Sequence, residues 1–138
     1  SGGNSIVPFS NKKSDKIRSL LDIYYFDFAT KNKKKILGIC HGASFIANKF
    51  KSEIIRTKKH VGKHFIKDAK HKIKVNSFHN LKIKNLNKNL KIKYLADDNS
   101  IESFQDKNGS MLGIMWHPER YNLIKKFDIK IINNFLRL

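Results

Sequence analysis

Residues 36–45 read ILGICHGASF. A short apolar run stops at a Gly-x-Cys-x-Gly turn. It gives way to a pattern of helical period, with Phe45, Ile46 and Phe50 on one side. A buried strand feeding directly into a helix commits a chain to packing helices on a sheet. Gly38 and Gly42 flank the turn, where side chains would crowd a sharp reversal. Cys40, the one cysteine in 138 residues, lies between them. Two readings fit it. A cysteine at a strand end is commonly a small buried apolar residue. A strained strand-to-helix turn is also how a nucleophile is projected above a sheet, with Cys in place of Ser. In that case the helix start favours the thiolate, and the backbone N–H of His41 points where an oxyanion would form.

The remaining pattern is mixed. Ser14 reads as the N-cap and Asp15 as the first-turn acid of a helix ending near Thr30. Its Ile17, Leu20, Leu21, Tyr24 and Phe28 share a face. Residues 51–71 read as basic and irregular. KIKVNSF (72–78), LKIKYLA (90–96), SIESFQD (100–106) and SMLGIMW (110–116) read as strands, the last two split by the turn KNG. HPERYN (117–122) reads as a loop. A last helix starts near Asn122, with Leu123, Ile124, Phe127, Ile131, Ile132 and Phe135 as its apolar face. This order predicts one α/β domain over residues 1–138 with an antiparallel portion.

A thiol nucleophile needs a base. His117 follows an apolar strand, and Glu119 comes two residues later. A carboxylate so placed can orient the imidazole and stabilise its cation. Pro118 fixes part of the loop between them. Alone, such a pair is an ordinary solvated loop feature; joined to the elbow, Cys40, His117 and Glu119 read as a triad. His60, His64 and His71 fall four and seven residues apart in a basic stretch, with Asp68 the only carboxylate among them. A zinc site needs three or four good ligands held together. The spacing predicts no metal here, only a basic loop. The triad chemistry calls for no cofactor.

The formal net charge is +18, which favours polyanions. The basic residues are mostly lysines, spread along the chain among Asn and Ile, as compositional drift would leave them. Nucleic-acid readers combine a clustered patch with Arg and stacking aromatics. A nucleic-acid partner is therefore disfavoured, while attraction for phosphate-bearing ligands survives. No apolar run approaches the roughly 20 residues of a membrane span, and no secretory h-region is present. A lone cysteine makes no internal disulfide. These features predict a cytoplasmic protein with no membrane partner.

SGGN (1–4), GICHG (38–42), VNSFHN (75–80) and WHPER (116–120), in this order, resemble the class I glutamine amidotransferases. Within them they resemble the gamma-glutamyl hydrolase, peptidase C26-like branch. DNSIESF (98–104) is similar to the strand preceding the last motif in that family. The resemblance implies a flavodoxin-like three-layer sandwich. It implies Cys40 as nucleophile, His117 as general base and then acid, and Glu119 as its orienting carboxylate. The N–H groups of Gly3 and His41 would form the oxyanion hole, with Gly2 allowing close approach. Asn76, Ser77 and His79 would line the gamma-glutamyl pocket. The substrate would be a small gamma-glutamyl amide. The nearest resemblance is to the group acting on gamma-glutamyl-CDP-amidate in surface-polysaccharide pathways, with a gamma-glutamyl amine as the alternative. A glutaminase component passing ammonia to a synthetase partner is a further reading. Relatives commonly have Arg and Gln where this chain has His41 and Ser44; the His41 ring could lower the Cys40 pKa or face solvent, and the second is expected. In the family SGG follows about the first third of the domain, so the resemblance implies a chain lacking that third, and with it a reading as a truncated inactive homologue.

Overall fold

The computed structural model describes residues 6, 7, 9, 10, 12–58 and 60–137. The elements in order are α1 (Lys13–Lys31), β1 (Ile36–Ile39), α2 (His41–Lys49), β2 (Glu53–Arg56), β3 (Val61–Lys67) and β4 (Lys72–Phe78). They continue with β5 (Leu81–Asn85), β6 (Leu90–Ala96), β7 (Ile101–Asp106), β8 (Met111–Ile114), a 3-10 turn (Pro118–Arg120) and α3 (Lys126–Leu136).

Among the described residues all eight strands form one sheet, with the path β1-β8-β7-β6-β3-β4 and β5 joining β2 to β7. β1 and β8 run parallel, and the other paired strands run antiparallel. The period of two assigns the faces. Along β8 and the residues after it, Met111 and Met115 enter one cluster with Ala43, Ile46 and Ala47 of α2 and with Phe104. Leu112, Ile114 and Trp116 point the other way, into a cluster with Ile66, Val75 and Phe135 of α3. Helices thus cover both faces, giving the expected three layers. On the α2 face two glycines let neighbours close in. A Cβ on Gly113 would lie 2.4 Å from the Phe104 ring, and one on Gly38 would lie 2.6 Å from the Gly42 backbone. The sheet also curls. Asn76 of β4, at one end of the path, reaches the His117 backbone just after β8, near the other end.

Several expectations are corrected. Residues 51–71 are not irregular: Glu53–Arg56 and Val61–Lys67 are strands, whose charged Glu53 and Lys63 lie on exposed positions and mask the pattern. Ser14 does not cap α1. Lys12 occupies that position, and Ser10 accepts its N–H at 3.3 Å while pairing with the Asp15 carboxylate. The apolar residues of α1 share a face, yet that face points outward, with Leu20 68% exposed. Helical spacing establishes a common face but not which side of the helix meets the core. Phe26 is the residue turned inward, edge-on to Phe45 at 5.8 Å. α3 begins later than expected, at Lys126, leaving Leu123 and Ile124 exposed before it.

Candidate active site

β1 and β8 are parallel neighbours with Ile39 opposite Ile114. The segments that follow them therefore leave the sheet at the same edge, where α/β folds place their chemistry. One segment opens with Cys40 and the other brings His117.

Cys40 has φ 51° and ψ −95°, a backbone conformation that a residue with a side chain rarely holds. The turn is fastened on both sides. The Cys40 N–H donates to the Ile114 carbonyl at 2.7 Å, and the Cys40 carbonyl accepts from the Ser44 N–H at 2.9 Å. Cys40 is 6% exposed. Burial pushes its pKa up to about 11, against the His41 backbone N–H and the Arg120 charge, which pull it down. The helix start alone favours a thiolate; desolvation outweighs it, and the resting group is the thiol.

His117 is buried, and its Nδ1 lies 2.5 Å from Glu119 Oε1. The 3-10 turn Pro118–Arg120 folds Glu119 back onto the ring. Asn76 grips the His117 peptide twice: its Nδ2 donates to the His117 carbonyl and its Oδ1 accepts from the His117 N–H, both at 2.8 Å. Phe78 packs edge-on to the imidazole at 5.7 Å, and Arg120 lies over Phe78 at 4.5 Å. The charges of Glu119 and Arg120 both act on the Cys40 thiol, the carboxylate raising its pKa and the guanidinium lowering it.

The other expected residues separate. His79 borders a narrow cleft with Cys40, His41, Ser44, Phe78 and Leu81. Asn76 instead holds His117, and the Ser77 hydroxyl donates to the His60 carbonyl at 2.7 Å. The His41 ring, expected in solvent, is buried with Nε2 2.8 Å from Asp22 Oδ2. Gly2 and Gly3 lie outside the described residues. Of the histidine triplet, His71 stands apart, exposed and 3.1 Å from Asp68. His60 and His64 gather with His79 around Glu102, a residue that sequence spacing does not connect to them. The available signal is a carboxylate in a strand that is buried nearly throughout. Burial raises the Glu102 pKa but the three imidazoles outweigh it and hold it well below the usual range. Burial likewise opposes a charged His60, and the Glu102 and Asp98 carboxylates raise its pKa nonetheless.

A family model described as Peptidase C26 matches residues 47–119, a span holding Asn76, His79, Glu102, His117 and Glu119. The chain belongs to the Peptidase C26 family. This Peptidase C26 chain is 40% identical over 129 residues to the gamma-glutamyl-CDP-amidate hydrolase of Campylobacter jejuni, an alignment covering 94% of this chain and 64% of that protein. Its structure is similar to that of a candidate GMP synthase subunit from Thermoplasma acidophilum (TM-score 0.71, 25% identity, 91% of this chain and 64% of that one). It is also similar to a glutamine amidotransferase from Thermotoga maritima (TM-score 0.67, 18% identity, 93% and 60%). The chain thus spans less than two thirds of the length of each of these proteins. The fold expected from the motifs is the one found: this Peptidase C26 chain has the class I glutamine amidotransferase architecture.

Proposed function

We propose that the chain hydrolyses a gamma-glutamyl amide, with Cys40 as nucleophile, His117 as base and acid, and Glu119 as the carboxylate that holds the imidazole. The observation that carries this reading is the strained Cys40 elbow at the sheet edge where the parallel neighbour delivers a Glu119-bound His117. Because the thiol rests protonated, attack needs a partner to remove its proton. His117 takes that proton as Sγ bonds to the amide carbon. The oxygen that gains charge accepts from the His41 backbone N–H. The imidazolium, stabilised by Glu119, then protonates the departing nitrogen as the C–N bond breaks. A glutamyl thioester remains on Cys40. Water, deprotonated by His117, attacks it, the C–S bond breaks, and glutamate leaves as the thiol is restored.

For the leaving group we infer a nucleotide diphosphate amidate, the chemistry named for the Campylobacter relative. The net charge of +18 and the Arg120 guanidinium beside the site both suit a pyrophosphate. Under this reading the reaction belongs to cytoplasmic surface-polysaccharide synthesis. Among the described residues no helix is long and apolar enough to cross a membrane. Glutamate release should be measured from gamma-glutamyl-CDP-amidate, gamma-glutamyl-gamma-aminobutyrate and glutamine. Release from the first is expected to fall to background in Cys40→Ala and by roughly a hundredfold or more in Glu119→Gln. Release that survives Cys40→Ala would sink the mechanism. The likeness to the Thermoplasma protein favours one other reading, a glutaminase delivering ammonia to a synthetase. Glutamine turnover that appears only when a partner synthetase is added would select it.

A further inference from the structure

Glu102 lies in the middle of the protein with 0% of its surface exposed. Three imidazoles, two from the β3 segment and one from just after β4, converge on its carboxylate. His60, just before β3, brings Nδ1 to 3.0 Å from Oε1. His64, within β3, brings Nε2 to 3.4 Å from Oε2. His79, just after β4, brings Nε2 to 3.6 Å from Oε1. Glu102 Oε2, His64 Nε2 and His79 Nε2 are all buried without a hydrogen bond.

Counting protons sharpens the problem. A neutral imidazole has one N–H and one lone pair. His79 Nδ1 lies 2.7 Å from the Leu81 carbonyl, which only accepts, so the proton of neutral His79 is on Nδ1. Its Nε2 lone pair then faces a carboxylate oxygen. His60 stands between two carboxylates, Glu102 on Nδ1 and Asp98 at 3.2 Å from Nε2. The Ser100 hydroxyl, 3.3 Å from that Nε2, is directed to Asp98 Oδ1 at 2.5 Å. Whichever nitrogen carries the His60 proton, the other also points a lone pair at an anion. Added positive charge relieves this arrangement. The Lys82 ammonium, 3.3 Å from Asp98 Oδ2, supplies it at the outer end. A His60 imidazolium would donate to both carboxylates but leave the His79 Nε2 lone pair facing Glu102. One divalent cation neutralises Glu102 at the inner end.

We propose that His60, His64 and Glu102 form a binding site for a divalent transition-metal ion of the zinc type. One ligand atom from each lies within 4.8 Å of the other two. Two imidazoles and one carboxylate are a donor set that suits zinc, whereas calcium and magnesium prefer oxygen throughout. Bonds of about 2.05 Å in a tetrahedron put ligand atoms about 3.3 Å apart, close to the observed separation of His64 Nε2 from Glu102 Oε2. With His60 bound through Nδ1, its Nε2–H donates to Asp98, the carboxylate–histidine–metal relay that fixes a ligand's tautomer. The His64 side chain is 20% exposed although its Nε2 is buried. The inference stands apart from the gamma-glutamyl reading, since no group in it is a member of the triad.

The test is metal binding by the untagged full chain after chelator treatment. Calorimetry with Zn²⁺ is expected to give one tight ion per chain, and Co²⁺ to give the visible bands of a four-coordinate N/O site. His64→Ala should weaken Zn²⁺ by about tenfold or more, whereas His71→Ala should leave it unchanged. Diffraction from zinc-soaked crystals at the zinc edge should place an anomalous peak among His60, His64 and Glu102, independently of how any variant folds. No stoichiometric binding, binding indifferent to His64→Ala, or a peak only at His71–Asp68 would overturn the proposal.

Discussion

At the scale of single residues, Cys40 makes a prediction about pH. Its ordinary value is 9.0, and in the fold it is about 11. Between those values the unfolded chain has released the thiol proton and the folded chain has kept it. Stability from this group is therefore full below pH 9 and falls as pH rises toward 11. The difference is on the order of 3 kcal/mol. Thermal melts of the native chain and of Cys40→Ser should converge over that range; parallel curves would mean the thiol ionises freely. Cys40, His117 and Glu119 are legible in the sequence because a short segment carries each signal: a five-residue turn pattern and a two-residue offset. Asn76 and Ser77 are visible there as polar residues in a strand but not in their partners. Their hydrogen bonds run to His117 and His60, across the curl of the sheet. Glu102 needs three segments brought together before its meaning emerges.

At the scale of elements, strand and helix pattern carries far. KIKVNSF and LKIKYLA coincide with β4 and β6 because each alternates over a full strand length. The outward face of α1 is not legible, because sequence gives a helix its stripe without its neighbour. The elbow itself rests on closeness between β1 and α2. A methyl on Gly38 would meet the Gly42 backbone at 2.6 Å and Ile46 Cδ1 at 2.7 Å. Backbone cannot step aside as a side-chain end can, so Gly38→Ala is expected to destabilise the chain by about 1–3 kcal/mol. Denaturant unfolding would measure it, and an unchanged midpoint would show that the strand–helix packing is looser than described.

At the scale of the whole molecule, two core clusters lie on opposite faces of the sheet and a third gathers Ile6, Phe45 and Leu81, and the outer stripe of α1 belongs to none of them. Leu20→Lys should then shift folding free energy by no more than about 0.5 kcal/mol. A much larger loss in dilute solution would mean this stripe is covered. The curl has its own consequence. Asn76 belongs to a strand far along the sheet from Cys40, yet its amide is what seats the peptide of His117. β4 therefore cannot fray on its own and leave the chemistry intact. Each brief local opening at that margin is also a moment without a positioned base, so the stability of a peripheral hairpin sets the fraction of time for which the molecule is competent.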